Sequence, residues 1–274
     1  MGAPLLSRGP TAVALTVAGS DSSGGAGVQA DLKTFGAIGV WGLCAVTAVT
    51  AQNSGGVAAV HLLPGSMVRA QIEAVVADTT PGAVKTGMLA SREIVEAVAA
   101  AIADGHLSPL VVDPVVTASQ GGRLLDPDAL AVMKELLLPM CAVLTPNLLE
   151  AGLLLGRSVS DLEQMPDAAA ALSDYGPPAV LLKGGHLGGE RSPDLLWCDG
   201  QATWLDGPRI VTAATHGTGC TLSAALTAYL ADGLPLLESC QKAKAFVTGA
   251  IAGGIQLGPG PGSVDALWNW GKPS

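Results

Sequence analysis

The chain has 274 residues, of which 49% are hydrophobic and 14% charged, which is enough apolar material for a large core and too little charge for a disordered chain. Its 14 Lys and Arg stand against 23 Asp and Glu, and this net charge of −9 argues against a surface that binds nucleic acid or an anionic membrane. No uncharged apolar run reaches the ~18 residues of a membrane-spanning helix. The five cysteines are scattered and lack a C-x-x-C spacing, so we expect a cytoplasmic protein.

Short β-branched runs alternate with longer helical patterns along the chain. Strands are predicted at residues 13–17, 43–49, 83–85, 110–112, 142–144 and 180–182. Helices are predicted at residues 29–38, 66–77, 93–103, 127–137, 147–155, 218–230 and 236–256, and a hairpin joins 195–198 to 202–205. This alternation predicts an α/β fold with a mostly parallel sheet and helices on both faces. We expect one domain over residues 1–274, with residues 1–11 as a flexible extension.

A glycine-rich segment, AGSDSSGGAG, follows the first predicted strand at residues 18–27. Gly25, Gly27 and Ala30 match the spacing G-x-G-x-x-A of dinucleotide-binding turns. The turn is longer than such sites use, and the acidic residue expected about twenty positions later is missing. NAD is therefore disfavoured, and the segment is either a ligand loop or a plain turn from strand to helix.

A second glycine cluster, HGTGCT at residues 216–221, runs directly into an Ala/Leu helix. Gly217 and Gly219 would leave backbone N–H groups free at the positive end of that helix, which is a ready site for an anion or a phosphate. Cys220 lies in the predicted first turn, where the pKa of a thiol falls below ~8.5. The alternative is a buried cysteine that packs as a small hydrophobe, and we favour the functional interpretation.

Two further polar clusters follow predicted strands. Asn147 and Glu150 share one helix face and suit either Mg²⁺, held through waters, or a capping box at the helix start. Lys183 precedes a Gly-Gly pair and is either a phosphate partner or a solvated charge. The residue spacing leaves both pairs of alternatives open.

Several of these segments together resemble one family. AGSDSSGGAGVQADLKTF (18–35), TAQN (50–53), KTGML (85–89), DPVV (113–116), TPNLLEA (145–151), KGGH (183–186) and THGTGCTLSAAL (215–226) occur in the order and spacing of the hydroxymethylpyrimidine/phosphomethylpyrimidine kinases. The resemblance implies a ribokinase-like, three-layer α/β/α fold and a homodimer. It also implies two transfers from ATP with Mg²⁺, first to 4-amino-5-hydroxymethyl-2-methylpyrimidine and then to its monophosphate, for thiamine biosynthesis.

The resemblance also implies roles for individual residues. Gly217, Thr218 and Gly219 would form the anion hole, with Cys220 at the catalytic position, where many ribokinase relatives carry Asp. The implied substrate-pocket residues are Gln52, Asp31, Ala26, Met88 and Val115. The implied residues of the nucleotide and Mg²⁺ side are Lys183, Asn147, Glu150 and Asp113. Leu149 departs from the family's PNLPEA, and nothing is carried over to residues 117–125, which lack the lysine often found there.

Two alternatives stay open at this point. A pyridoxal kinase would share the fold and the cysteine-type anion hole, although Gln52 suits the donor–acceptor edge of an aminopyrimidine better. The other alternative is a catalytically inactive sensor of the pyrimidine. The presence of Cys220 and its flanking glycines argues against it.

Overall fold

The computed structural model of the chain describes residues 11–117, 124–185 and 187–270. Within these ranges, nine strands form one sheet in the order β3-β2-β1-β4-β5-β6-β7-β8-β9. Their bounds are β1 Val13–Ser20, β2 Trp41–Asn53, β3 Gly56–Leu62, β4 Ala83–Thr86, β5 Leu110–Val112, β6 Val143–Leu144, β7 Ala179–Lys183, β8 Asp194–Cys198 and β9 Gln201–Leu205. The strands from β2 across to β7 pair in parallel, whereas β3, β8 and β9 are antiparallel to their neighbours. The predicted mostly parallel sheet is confirmed.

Helices cover both faces of the sheet. They are α1 Gly27–Ile38, α2 Gly65–Val76, α3 Arg92–Asp104, α4 Pro127–Val132, α5 Leu148–Leu155, α6 Met165–Ser173, α7 Thr218–Ala231 and α8 Leu236–Ala252. The alternation of side chains along β5 shows the layering: Leu110 and Val112 join the core formed with α2 to α6, whereas Val111 joins the core formed with α7 and α8. The expected three-layer α/β/α arrangement is therefore confirmed.

The structure departs from the predicted elements in four places. Strand β2 runs on to Asn53 and turns into β3, which the sequence pattern missed because most side chains of β3 are exposed and its residues do not alternate. Helix α6 was also missed. The helix predicted at 127–137 is α-helical only to Val132 and continues as a π-helical turn, Met133–Leu137. Helix α8 ends at Ala252, before two glycines, rather than at residue 256.

The proposed N-terminal extension, residues 1–11, lies outside the described residues except for Thr11. Within the described ranges, none of the helices combines the length and the apolar character that crossing a bilayer requires. In a parallel sheet the carboxyl ends of the strands meet at one edge, and here the segments after β1, β4, β5, β6 and β7 meet around a cavity.

Candidate active site

A cavity of about 920 Å³ opens at the carboxyl edge of the sheet. All the predicted site residues but one line this cavity: Ala26, Gln52, Met88, Asp113, Val115, Asn147, Glu150, Lys183, Gly217, Thr218, Gly219 and Cys220. The exception is Asp31. The motifs that lie far apart in the sequence are thus brought to one place.

The first turn of α7 forms part of the cavity wall. Gly217 is its N-cap, with a φ of 83°, and a side chain there would collide with the backbone carbonyl of Gly25. Only glycine therefore allows the two glycine-rich segments to pack together. The Thr218 hydroxyl donates to the carbonyl of Thr215 at 2.7 Å, which fixes the start of the helix. The positive end of the α7 dipole lies at the cavity, as the sequence predicted.

Cys220 lies in this first turn, but the predicted low thiol pKa is wrong. Burial raises the pKa of the Cys220 thiol to about 11. The Lys85 ammonium opposes that rise, while the carboxylates Asp31 and Asp113 add to it. A position at a helix N-terminus is not enough to make a thiol acidic when it is enclosed and two carboxylates lie near.

Asp31 lies beneath the cavity rather than in its wall, so the predicted direct contact with a substrate is corrected. Its carboxylate accepts from Lys85 Nζ at 2.9 Å and from the Thr16 hydroxyl at 2.6 Å, and both members of the ion pair have side chains with 0% exposure. Burial works against the charge on Lys85, but Asp31 and the other anions nearby outweigh it and raise the pKa of that ammonium. The pair is a buried ion pair in the cavity floor.

Lys183 forms a second cluster at the end of β7. Its Nζ is 3.0 Å from Asp113 Oδ1 and 3.8 Å from Glu150 Oε2. Ser223 donates to the other oxygen of Asp113 at 3.0 Å. Burial would raise the pKa of Asp113, but Lys183 and Lys85 hold it below its usual value. Burial raises the pKa of Glu150 to about 7, against the attraction of Lys183.

The segment after β6 forms the capping box that the sequence left as one of two alternatives. Asn147 Oδ1 accepts from the backbone N–H of Glu150 at 2.9 Å, and Glu150 Oε2 accepts from that of Asn147 at 2.8 Å. The substituted Leu149 is exposed and leaves this geometry intact. Since a capping box uses one carboxylate oxygen and one amide lone pair, it does not prevent Glu150 from meeting a cation as well.

Gln52 lies opposite α7, within a polar network. Its backbone N–H and C=O both bond the Ser22 hydroxyl, at 2.8 and 2.7 Å. Its side chain lies beside Thr50 and beside the ring of His216, which is 2.8 Å from Asp21 Oδ2. Asp21, Lys85 and His216 were missed as individual site residues, although each lies inside a quoted motif. Their roles depend on contacts between distant segments.

One part of the remaining wall is apolar. It is formed by Leu222 of α7, by Val247 and Ile251 of α8, and by Pro208 and Ile210 of the segment after β9. Lys244 and Asp194 also line the cavity, and Lys244 Nζ pairs with Asp194 Oδ2 at 2.7 Å. Such a surface suits a flat aromatic ring next to a site for phosphates.

Comparison with known proteins agrees with this architecture. A family model described as phosphomethylpyrimidine kinase matches residues 21–265. The hydroxymethylpyrimidine/phosphomethylpyrimidine kinase of Rhizobium meliloti (strain 1021) is 48% identical over 268 residues, which cover 96% of this chain and 99% of that protein.

Solved structures show the same fold. The pyridoxal kinase from Staphylococcus aureus, in complex with AMP-PCP and pyridoxal, superposes with a TM-score of 0.88 at 36% identity, over 96% of this chain and 97% of that one. The phosphomethylpyrimidine kinase from Clostridium difficile 630 gives a TM-score of 0.78 at 41% identity, over 87% of this chain and 99% of that one. The ribokinase-like fold is thereby confirmed, and the chain belongs to the phosphomethylpyrimidine kinase family.

Proposed function

We propose that the chain transfers the γ-phosphoryl group of ATP to the hydroxymethyl group of 4-amino-5-hydroxymethyl-2-methylpyrimidine, and a second one to the resulting monophosphate, for thiamine biosynthesis. The observation that carries this proposal is the family match over residues 21–265. The cavity supports it, because the first turn of α7, the side chain of Gln52 and several apolar side chains all line the same cavity.

The acceptor ring lies, in this proposal, against Gln52. The amide can accept a hydrogen bond from the exocyclic amine of the pyrimidine and donate one to the neighbouring ring nitrogen. Ala26, Met88 and Val115 supply apolar contacts, since all three line the cavity. Asp31 acts indirectly, by holding Lys85 in place.

Cys220 is the proposed catalytic residue. As the hydroxyl oxygen bonds to phosphorus and the bond to the ADP oxygen breaks, the thiolate of Cys220 takes the hydroxyl proton. Because the pKa of this thiol is about 11, that thiolate is a small fraction of the chain at neutral pH. The first turn of α7, with Gly217, Thr218 and Gly219, faces the charge on the moving phosphoryl group. This electrostatic contribution needs no change in the protonation of the chain.

The nucleotide lies, in this proposal, along the apolar wall, with its phosphates toward Lys183. Asn147 and Asp113 complete that end of the cavity. The site fits Mg²⁺, which commonly takes one carboxylate together with phosphate oxygens and waters. Glu150 offers that carboxylate, and a cation would offset the burial that raises its pKa to about 7. When bound, Mg²⁺ would neutralise phosphate charge.

A pyridoxal kinase is the second candidate, because the pyridoxal kinase of Staphylococcus aureus matches this structure with a TM-score of 0.88. A product assay separates the two. The chain is incubated with Mg-ATP and either ring alcohol, and products are followed by mass spectrometry. The proposal expects the pyrimidine monophosphate, followed by the pyrophosphate; turnover of pyridoxal alone would overturn it.

We also propose a cytoplasmic homodimer that forms through the β2–β3 hairpin. Val49, Val57, Val60 and Leu62 of this hairpin are exposed, with Val60 at 45% exposure. Of these, Val60 and Leu62 lie on one face of the edge strand β3, and exposed apolar side chains on an edge strand favour pairing with a second copy. Light scattering should give twice the chain mass, and Val60→Lys should give the monomer.

A further inference from the structure

A segment rich in glycine and proline lies between α8 and the C-terminus. Residues 258–262 read Gly-Pro-Gly-Pro-Gly, and we call them the Gly-Pro segment. These described residues do not line the cavity. The two prolines are exposed, whereas the glycines are half-buried or buried, so the glycines face the body of the protein. The proline rings fix φ and stiffen the backbone between the glycines.

Hydrogen bonds hold the Gly-Pro segment in shape and in place. Just before it, Gln256 Nε2 donates to the carbonyls of Gly258 and Gly260, each at 2.5 Å. At the far end, the carbonyl of Gly262 accepts from the backbone N–H of His216 at 3.1 Å. The first turn of α7 follows His216 directly. The segment is therefore fixed next to the anion hole of the proposed mechanism.

The Gly-Pro segment packs on the turn that joins β2 to β3. A Cβ built on Gly260 would overlap the backbone carbonyl of Ser54 and lie 3.0 Å from the backbone nitrogen of Gly55. A Cβ built on Gly258 would lie 2.5 Å from the Ser54 hydroxyl oxygen. Neither glycine has a positive φ, so the short distance, and not the backbone conformation, requires glycine. The requirement is strict at Gly260, because a backbone carbonyl cannot rotate away as a hydroxyl can.

The turn belongs to the part of the cavity where the acceptor ring is proposed to lie. Gly55, Gly56 and Val57 line the cavity, as does Gln52 at the end of β2. The loop after β1 holds this strand end through Ser22, whose hydroxyl bonds the backbone N–H and C=O of Gln52 at 2.8 and 2.7 Å. The Gly-Pro segment makes a further contact with the same strand end, through the turn.

A methyl group added at position 260 would displace the turn rather than the Gly-Pro segment. Pro259 and Pro261 flank Gly260, and hydrogen bonds hold the segment on both sides. The turn instead leads into β3, whose side chains are largely exposed, so little packing opposes its displacement. The position of the turn therefore depends on how closely the segment approaches it.

We propose that the Gly-Pro segment, through Gly260 as a positioning residue, fixes the β2–β3 turn and with it Gln52 relative to the first turn of α7. The inference rests on the proposed function, in which the ring contacts Gln52 while its hydroxymethyl group reaches Cys220. A displaced turn takes Gln52 away from the ring, whereas Lys183, at the nucleotide end, lies on β7. The segment therefore determines the affinity for the ring alcohol and not the affinity for ATP.

Steady-state kinetics of two alanine variants test this proposal. Gly260→Ala should raise KM for the pyrimidine by about 10-fold, the equivalent of about one hydrogen bond, and change KM for ATP by less than about 2-fold. Gly258→Ala is the matched control, because this glycine also precedes a proline but meets only the Ser54 hydroxyl. It should change KM for the pyrimidine by less than about 2-fold. Ser54→Ala should remove any remaining effect of Gly258→Ala and leave that of Gly260→Ala.

A double-mutant cycle tests whether the effect passes through Gln52. In a Gln52→Ala background, Gly260→Ala should have little further effect on KM for the pyrimidine, and full additivity would overturn the proposal. A Gly260→Ala variant with a lower kcat but both KM values unchanged would also overturn it, because the Gly-Pro segment would then only support the fold. Equal effects of the substitutions at 258 and 260 would do the same.

A second variant serves if Gly260→Ala does not fold. Gln256→Met keeps a side chain of similar length and removes both hydrogen bonds to the Gly-Pro segment. It should raise KM for the pyrimidine by about 3-fold and leave KM for ATP unchanged, and an unchanged KM for the pyrimidine would contradict the proposal. Failure of the proposed function looks different, because the unmodified chain would then not phosphorylate the pyrimidine at all.

Discussion

The cavity has two buried lysine–aspartate pairs, and they differ in what else each pair contacts. Lys85 and Asp31 have no exposed side-chain surface, and the Thr16 hydroxyl is the further hydrogen-bond donor to that carboxylate. The Lys183 side chain is 12% exposed at the cavity, and its partner Asp113 also accepts from Ser223. Lys85 is the last residue but one of β4 and Lys183 is the last residue of β7, so their local sequence settings are alike.

This difference indicates that the Lys85–Asp31 pair supports the fold, whereas the Lys183–Asp113 pair can bind a ligand. A fully buried pair such as Lys85–Asp31 does not donate a hydrogen bond to a ligand. Removing one partner leaves a buried charge with little compensation. A pair at the cavity wall can turn its ammonium toward a phosphate, because the Lys183 side chain is partly exposed there. We therefore expect Lys85 to contribute mainly to stability and Lys183 mainly to turnover.

The largest expected effect is on stability. Lys85→Met leaves Asp31 buried without its ammonium, and the free energy of unfolding should fall by about 3–5 kcal/mol. Urea unfolding followed by circular dichroism measures it. Adding Asp31→Asn to Lys85→Met should recover part of the loss, because no charge then remains buried. Lys134→Met is the control, since Lys134 donates one hydrogen bond to the carbonyl of Leu154 and lies over the Tyr175 ring but has no buried carboxylate partner; its loss should cost about 1–2 kcal/mol. Equal losses for Lys85 and Lys134 would contradict the account.

A large effect on turnover is expected at the other pair. Lys183→Met should lower kcat/KM for ATP by about 10²-fold, the usual range for losing a charge-assisted hydrogen bond to phosphate. Its free energy of unfolding should fall by less than half the loss of Lys85→Met, because Lys85 also holds the pKa of Asp113 down and still compensates that carboxylate. Initial rates at varied ATP concentration give kcat/KM, and urea unfolding gives the free energy of unfolding. A Lys183→Met variant that is less stable than Lys85→Met would contradict this comparison.

The smallest expected effect depends on pH. The pKa of Glu150 rises from 4.5 in the unfolded chain to about 7 in the fold, so the folded state binds a proton more tightly. The stability that this carboxyl contributes is present below pH 4.5 and is lost as pH rises through about 7. Between pH 5 and 8, and without nucleotide, the free energy of unfolding of Glu150→Gln should therefore exceed that of the unmodified chain by on the order of 2 kcal/mol. Parallel pH profiles for the two proteins would show that Glu150 titrates normally.

Much of the fold could be predicted from the sequence, because buried parallel strands are continuously apolar and alternate with helices. The site segments could be predicted as well, since glycines, Cys220 and Lys183 follow predicted strands or begin a helix. Strand β3 could not, because its largely exposed residues carry no regular pattern. The Lys85–Asp31 pair could not either, since 54 positions separate the partners. The thiol pKa depends on burial and on carboxylates from other segments, which no local pattern reports.

The most direct test of the account is the rate of phosphoryl transfer to the pyrimidine after Cys220→Ala, with pyrimidine binding measured by calorimetry on the same sample. A positioned group that takes a proton contributes about 10²–10⁴-fold to a rate. The account predicts a loss of that size while the pyrimidine still binds, since Gln52 and its neighbours are unchanged. A transfer rate equal to that of the unmodified chain would contradict the proposed role of Cys220.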